Sequence, residues 1–258
     1  MNPRFRLLAV LAYLVTATTA LLSPTLARAD TLIVYATVAA KGALERTAPD
    51  FERATSHSVK LKFGTAAELK GEIEKGAAFD VALLTTAAIE DLSRQSRISE
   101  GSKALVFKSG VGIAARKEAS IKKPETPEDL KALLLSARSV ALSTQGASGP
   151  IVRRAFDALG IADTMNPRVV LISDMTAPEA VVRGRAELAF TQISEILDTP
   201  EAQFLGPLPG PLQSLSSFSA GLSSTSRASQ AASAFLMALK SPAAHTHMRT
   251  AGLIPATE

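Results

Sequence analysis

The chain has 258 residues, with 28 Lys and Arg against 24 Asp and Glu, 47% hydrophobic residues and no cysteine. That length can bury a large core without covalent staples, and the missing cysteines exclude disulfides, thiolate metal sites and a thiol nucleophile. The net charge of +4 includes Arg4, Arg6 and Arg28, which lie with no acid in the first 29 residues, so the rest carries only +1 and shows no polybasic footprint for nucleic acid.

Residues 1–29 read as a secretory signal peptide. Arg4 and Arg6 precede an apolar run over 7–22, and Ala27-Arg28-Ala29 supplies a small-x-small cleavage site. Thr16, Thr18 and Thr19 dilute the run and Ser23-Pro24 ends it, against a membrane anchor. The expected mature chain is soluble and periplasmic and begins near Asp30. Residues 31–36, TLIVYA, form a short apolar run suited to a buried parallel strand. The loop 37–42 follows, then a helix of about three turns with Leu44, Ala48 and Phe51 on its inner face. A second strand over 59–63 breaks at Gly64, and Thr65 and Glu68 stand in capping-box spacing at the start of another helix. Leu69 and Ile73 give that helix an apolar face, Gly76 ends it, and a strand over 80–84 completes a βαβ unit. In such units ligands gather at the carboxyl ends of strands, beside helix N-termini with unpaired N–H groups. The turn 64–68 is therefore expected to hold a small anion, with Lys41 available as a point charge from the neighbouring loop.

Residues 103–115 predict a long strand interrupted at Ser109-Gly110, a plausible crossing between lobes. Thr126-Pro127-Glu128-Asp129 reads as a helix start, and a strand over 139–142 leads into a loop rich in hydroxyls and glycine over 143–150. A helix over 151–159, strands over 169–172 and 187–190, and polar loops opening at Ser173 and Thr191 continue the alternation. With its prolines and glycines, 205–212 (LGPLPGPL) is expected to be irregular, the extended return to the first lobe. A strand over 217–222 and helices over 226–240 and 242–250 close the chain. His245 and His247, two apart on a helix, do not face one another, so no metal site is expected, and Walker or dinucleotide spacings are absent.

The segments IVYATVAAKGALE, FGTAAELKGEIEKGAAFDVALL, ALSTQGASGP, VVRGRAELAFTQISEIL and SPAAHTHMRTAGL together resemble the periplasmic molybdate-binding proteins and their relatives among bacterial solute-binding proteins. The resemblance implies an α/β fold of two doubly wound lobes with a ligand cleft between them, with lobe 1 over 30–107 and 214–258 and lobe 2 over 108–213. It implies a monomer without cofactor that binds a small anion and passes it to an ABC-type membrane transporter. Relatives that hold molybdate use a serine hydroxyl from each of the first two loops and a tyrosine after the last strand of the second lobe. Those positions align with Ala39, Ala66 and Thr191, and each lost hydrogen bond to a charged ligand costs about 1.5–3 kcal/mol. A di- or tricarboxylate is therefore expected in place of molybdate. The ligand-binding set is Ala39, Lys41, Thr65, Ala66, Ser148, Ser173, Thr191 and Gln192, with Gln145 and Ser194 beside it; Arg153 or Arg154 could reach the cleft, whereas Arg183 and Arg185 read as surface charges. Some relatives are similar to aconitate isomerase, a cofactor-free enzyme. For that alternative Glu68 or Lys70 would be the base and Lys41 a clamp on the substrate carboxylates.

Overall fold

The computed structural model describes residues 29–256. The leader expected over 1–29 lies outside them except for Ala29. Within the described residues the chain forms two mixed sheets flanked by helices.

The first sheet contains β1 (Thr31–Thr37), β2 (Ser58–Gly64), β3 (Val81–Thr85), β4 (Ala104–Ser109), β10 (Ser216–Leu222) and β11 (Ile254–Pro255), in the order β11-β4-β10-β3-β1-β2. β1 pairs parallel to both β2 and β3, while β10 is antiparallel to β3 and β4. The continuous apolar run of β1 follows from burial on both faces. Leu32, Val34 and Ala36 enter one core cluster, and Tyr35 enters another with Leu69, Ile73 and Ile89. Helices α1 (Lys41–Thr55), α2 (Ala66–Glu74) and α3 (Thr86–Arg94) cover this lobe, joined by the C-terminal helices α9 (Ser229–Ala238) and α10 (Pro242–Thr250). His247 on α10 meets Asp50 on α1 at 2.8 Å, tying those two helices together.

The second sheet contains β5 (Val111–Arg116), β6 (Val140–Ser143), β7 (Val169–Ile172), β8 (Leu188–Gln192) and β9 (Ala202–Pro207), in the order β7-β6-β8-β5-β9. Its faces divide by the same alternation: Val140, Leu142, Leu188 and Phe190 pack on one side, Ala141 and Ala189 on the other. The small residues on the second face let the short α7 (Ala177–Val182) lie close to the sheet, packed through Ala177, Ala180 and Val181. Helices α4 (Pro127–Ser136), α5 (Gly149–Ala158), α6 (Ala162–Met165) and α8 (Ile193–Leu197) complete this lobe.

The expected break at Ser109-Gly110 is where β4 in the first sheet gives way to β5 in the second. The chain returns between β9 and β10, and Gln213 clamps the two crossings. Its Nε2 donates to the Val111 carbonyl at 2.8 Å, and its Oε1 accepts from the Val111 N–H at 3.0 Å. One expectation is corrected. Residues 205–207 are not irregular but belong to β9, antiparallel to β5. Pro207 is tolerated because β9 is an edge strand, and Gly206, at φ 128°, absorbs the register shift beside it. The irregular return is confined to 208–215, which includes a 3-10 turn over Gly210–Leu212.

Candidate functional site

The carboxyl ends of β1, β2, β6, β7 and β8 converge on a cleft of about 290 Å³ between the lobes. The first lobe contributes Thr37, Val38, Gly64, Thr65, Ala66, Glu68 and Phe218. From the second lobe come the loop 143–147, residues 172–177, Glu179, Thr191, Gln192 and Glu195. Both sheets place this crevice where their strand order reverses, with β1 between β2 and β3 and β6 between β7 and β8.

Local sequence builds the two opposed rims in the same way. On the first lobe Thr65 caps α2: its hydroxyl oxygen accepts from the Glu68 N–H at 3.2 Å, and Glu68 Oε2 accepts from the Thr65 N–H at 2.9 Å. On the second lobe Thr176 caps α7, with Glu179 Oε2 accepting from the Thr176 N–H at 2.8 Å and from its hydroxyl at 2.9 Å. These hydrogen bonds, led by the Thr176 backbone, hold the Glu179 carboxyl below the usual carboxylate range. Asp174 is likewise held down by Arg185, whose guanidinium reaches both carboxylate oxygens at 2.7 and 2.8 Å.

Glu195 differs from these three carboxylates. It is half-buried in the cleft wall on α8, and the Thr191 hydroxyl donates to its Oε2 at 2.8 Å. Burial pushes its pKa up to about 7, against the opposing effect of the Thr191 hydrogen bond, and the nearby Asp198 charge adds to the rise. A carboxyl of this kind exchanges its proton near neutral pH. Beside it Gln192, 2% exposed, donates through Nε2 to Ser216 Oγ at 3.3 Å, while its Oε1 is buried without a partner. The Gln192–Ser216 contact joins β8 of the second sheet to β10 of the first.

Thr65, Ala66, Ser173, Thr191 and Gln192 all reach the cleft wall, as do Glu68 and Gln145. Ala39 does not; it is 1% exposed in the core of the first lobe, in the 3-10 turn before α1. Ser148 is buried below the wall with its hydroxyl turned to the Phe190 carbonyl at 3.5 Å, and Ser194 is also buried away from the cleft. Lys41 points along α1 to Glu45 at 3.5 Å. Lys70 lies on the side of α2 that faces α3, 2.7 Å from Glu74 and 3.8 Å from Asp91. Neither lysine lines the cleft. Arg153 is exposed and bonded to Asn166 at 3.0 Å, and Arg154 is exposed, so α5 brings no cation into the cleft; Arg183 and Arg185 are exposed as expected. Among the described residues the wall contains no Lys or Arg and no cluster of three or more potential metal ligands.

Sequence reasoning missed Asp174, Glu179 and above all Glu195. One signal was available: Thr191 and Glu195 are four apart across a strand-to-helix junction, and Glu195 is the only charged residue within ISEIL. A second contact between lobes was also missed. The Gly42 N–H donates to Asp198 Oδ2 at 2.9 Å, so the end of α8 caps the start of α1.

The described architecture has solved counterparts. The periplasmic molybdate-binding protein of Azotobacter vinelandii superposes with a TM-score of 0.74 at 20% identity, covering 88% of this chain and 100% of that one. The sulfate-binding protein of Mycobacterium tuberculosis superposes with a TM-score of 0.71 at 17% identity, covering 88% of this chain and 87% of the other. In sequence, an aconitate isomerase from a Pseudomonas species is 26% identical over 262 residues, spanning 99% of this chain and 98% of the relative. The family model described as bacterial extracellular solute-binding protein matches residues 32–254. Spanning both sheets and every element that lines the cleft, that match makes the chain a member of the bacterial extracellular solute-binding protein family.

Proposed function

We propose that the protein is a receptor for a small anion, a di- or tricarboxylate in preference to molybdate, which it encloses between its lobes. The observation that carries this reading is the convergence of hydroxyl and amide groups from both lobes at the carboxyl ends of five strands: Thr37 and Thr65 face Ser143, Thr144, Gln145, Ser173 and Thr191. Alanine at 66, in the cleft wall, offers no side-chain hydroxyl to a tetrahedral oxyanion. Neutral donors and helix N-termini can hold a carboxylate without lysine or arginine. The segments 30–107 plus 214–258 and 108–213 act as the two moving lobes, hinged at the crossings that Gln213 joins. In this reading residues 1–29 direct export to the periplasm and are removed, the mature protein acts as a monomer, and an ABC-type membrane transporter receives the ligand.

A second reading, isomerisation of cis- and trans-aconitate, is favoured by a specific observation: the carboxyl that titrates near neutral pH, Glu195, lies in the cleft wall. In that reaction a base removes a proton from the substrate methylene, leaving an allylic carbanion delocalised onto a carboxylate. The conjugate acid then returns a proton at the far end of the allylic unit, and no co-reactant is consumed. Glu195 is the group best placed for that exchange, since Glu68 is held in its capping box and Lys70 lies elsewhere.

The test is a thermal-shift screen of the chain from Asp30 with molybdate, tungstate, sulfate, citrate, cis-aconitate and trans-aconitate. A ligand at a hundred times its Kd adds about 2.7 kcal/mol of stability. Carboxylate shifts without molybdate or tungstate shifts support the receptor reading, and a shift with molybdate alone overturns the carboxylate preference. A change in aconitate absorbance with time, abolished in Glu195→Gln, would establish the isomerase.

A further inference from the structure

We propose that ligand capture is coupled to proton uptake: the Glu195 carboxyl gains one proton as an anion enters the cleft and then donates a hydrogen bond to it. This rests on the anion-receptor reading and specifies what that receptor selects.

The cleft wall carries four carboxyl groups. Three have committed partners. Glu68 and Glu179 accept from the N-cap N–H groups of their own helices, and Asp174 is held by Arg185. Glu195 has the Thr191 hydroxyl and, among the described residues, no cation within ion-pair distance. The charged groups around it do not compensate. Asp198 stands at the C-cap of the same helix, and Lys41 on α1 pairs with Glu45 and acts by charge alone on Asp198 and Glu179. Across the cleft stands Glu68 from α2, and on the lobe of Glu195 itself Asp174 and Glu179 stand at the rim of α7. An ionised Glu195 would therefore oppose any anion that entered, in a partly desolvated space where such repulsion is weakly screened.

Gln192 supplies an independent observation. Its side chain is almost fully enclosed, yet one amide atom faces no partner. Gln192 lines the cleft as Glu195 does, and with Nε2 spent on Ser216 and Oε1 unpartnered its amide offers an anion no free donor. Turning the amide end for end lets Ser216 donate to Oε1 and frees Nε2 as a donor. With one proton on Glu195, that carboxyl changes from an acceptor in the cleft wall to a donor. Thr191 keeps donating to Oε2 in either state, because a protonated carboxyl retains an acceptor oxygen, and the single O–H on the other oxygen is left for the ligand.

The proton balance is simple: one solvent proton moves onto the Glu195 carboxylate, no covalent bond of the ligand changes, and the proton returns to solvent on release. Burial already places this carboxyl near the point of half-protonation at neutral pH, and the bound anion must raise it by roughly two further units for uptake at pH 8 to approach one proton.

The experiment is calorimetric titration of the intact chain from Asp30 with fumarate and with sulfate, neither of which itself titrates between about pH 6 and pH 9. Wild type should lose affinity by up to tenfold per pH unit above about pH 7. Its apparent binding heat near pH 8 should vary with the ionisation enthalpy of the buffer, corresponding to uptake of one proton. Glu195→Gln, a permanent neutral donor, should bind with the low-pH affinity at every pH and with no buffer dependence. Binding of either anion with a flat pH profile and buffer-independent heat in wild type would overturn the coupling alone. Failure of both anions, and of the wider thermal-shift panel, to bind wild type or variant at any pH would overturn the receptor reading and the coupling with it.

Discussion

Gly42→Ala offers a sharp test of how the two lobes are joined. Gly42 sits in the first turn of α1, where replacing glycine by alanine ordinarily stabilises a helix by about 0.5–1 kcal/mol. Here the added Cβ would stand 2.2 Å from Asp198 Oδ1. Asp198 is the flexible partner and must swing away, breaking the 2.9 Å hydrogen bond from the Gly42 N–H. A hydrogen bond to a charged group contributes about 1.5–3 kcal/mol, so the variant should be less stable by about 0.5–2.5 kcal/mol. In a protein of this size each kcal/mol lowers Tm by about 2–4 °C. The assay is a double-mutant cycle read by thermal unfolding of wild type, Gly42→Ala, Asp198→Ala and the double variant. Once Asp198 is absent, Gly42→Ala should become neutral or stabilising, giving a coupling energy within about 0.5–3 kcal/mol. If Gly42→Ala is neutral in wild type, or costs the same in both backgrounds, the Asp198 cap does not join the lobes as described.

Three further outcomes follow from individual contacts. Because the folded pKa of Glu195, about 7, lies above its ordinary 4.5, the native state holds an extra proton between those values; stability should fall by up to about 3 kcal/mol as pH rises through that window, and urea unfolding of Glu195→Gln should lack this slope. Thr65→Ala and Thr126→Ala both remove capping-box threonines and should each cost about 1 kcal/mol in chemical denaturation, but only Thr65→Ala, at the cleft wall, should also weaken ligand binding. Lys41→Ala and Lys70→Ala should change affinity by less than about threefold, since their ion pairs lie outside the cleft wall; a tenfold loss, about 1.4 kcal/mol in a binding titration, would contradict that placement.

The sequence by itself determined most of the strands, the crossing and the capping-box helix starts, because these depend on neighbours in the chain. TLIVYA has to be a strand buried on both faces, Ser109-Gly110 breaks a strand between sheets, and Thr65–Glu68 and Thr126–Asp129 close their own capping boxes. The same local logic located the cleft at the carboxyl ends of strands, and five of the eight expected ligand residues reach its wall. Tertiary structure alone decided which side chains enter. Lys41 and Lys70 belong to the right helices but are rotated toward Glu45 and toward Glu74 and Asp91. It also decided that 205–207 is a strand, since a proline is tolerated only once the strand is known to lie at a sheet edge. Glu195 and Asp198 gain their character from packing between lobes: one carboxyl is half-buried in a wall without cations, and the other caps a helix 156 residues away. Local spacing specifies what a segment becomes, whereas desolvation and charge at a site depend on residues distant in sequence that only the assembled lobes bring near.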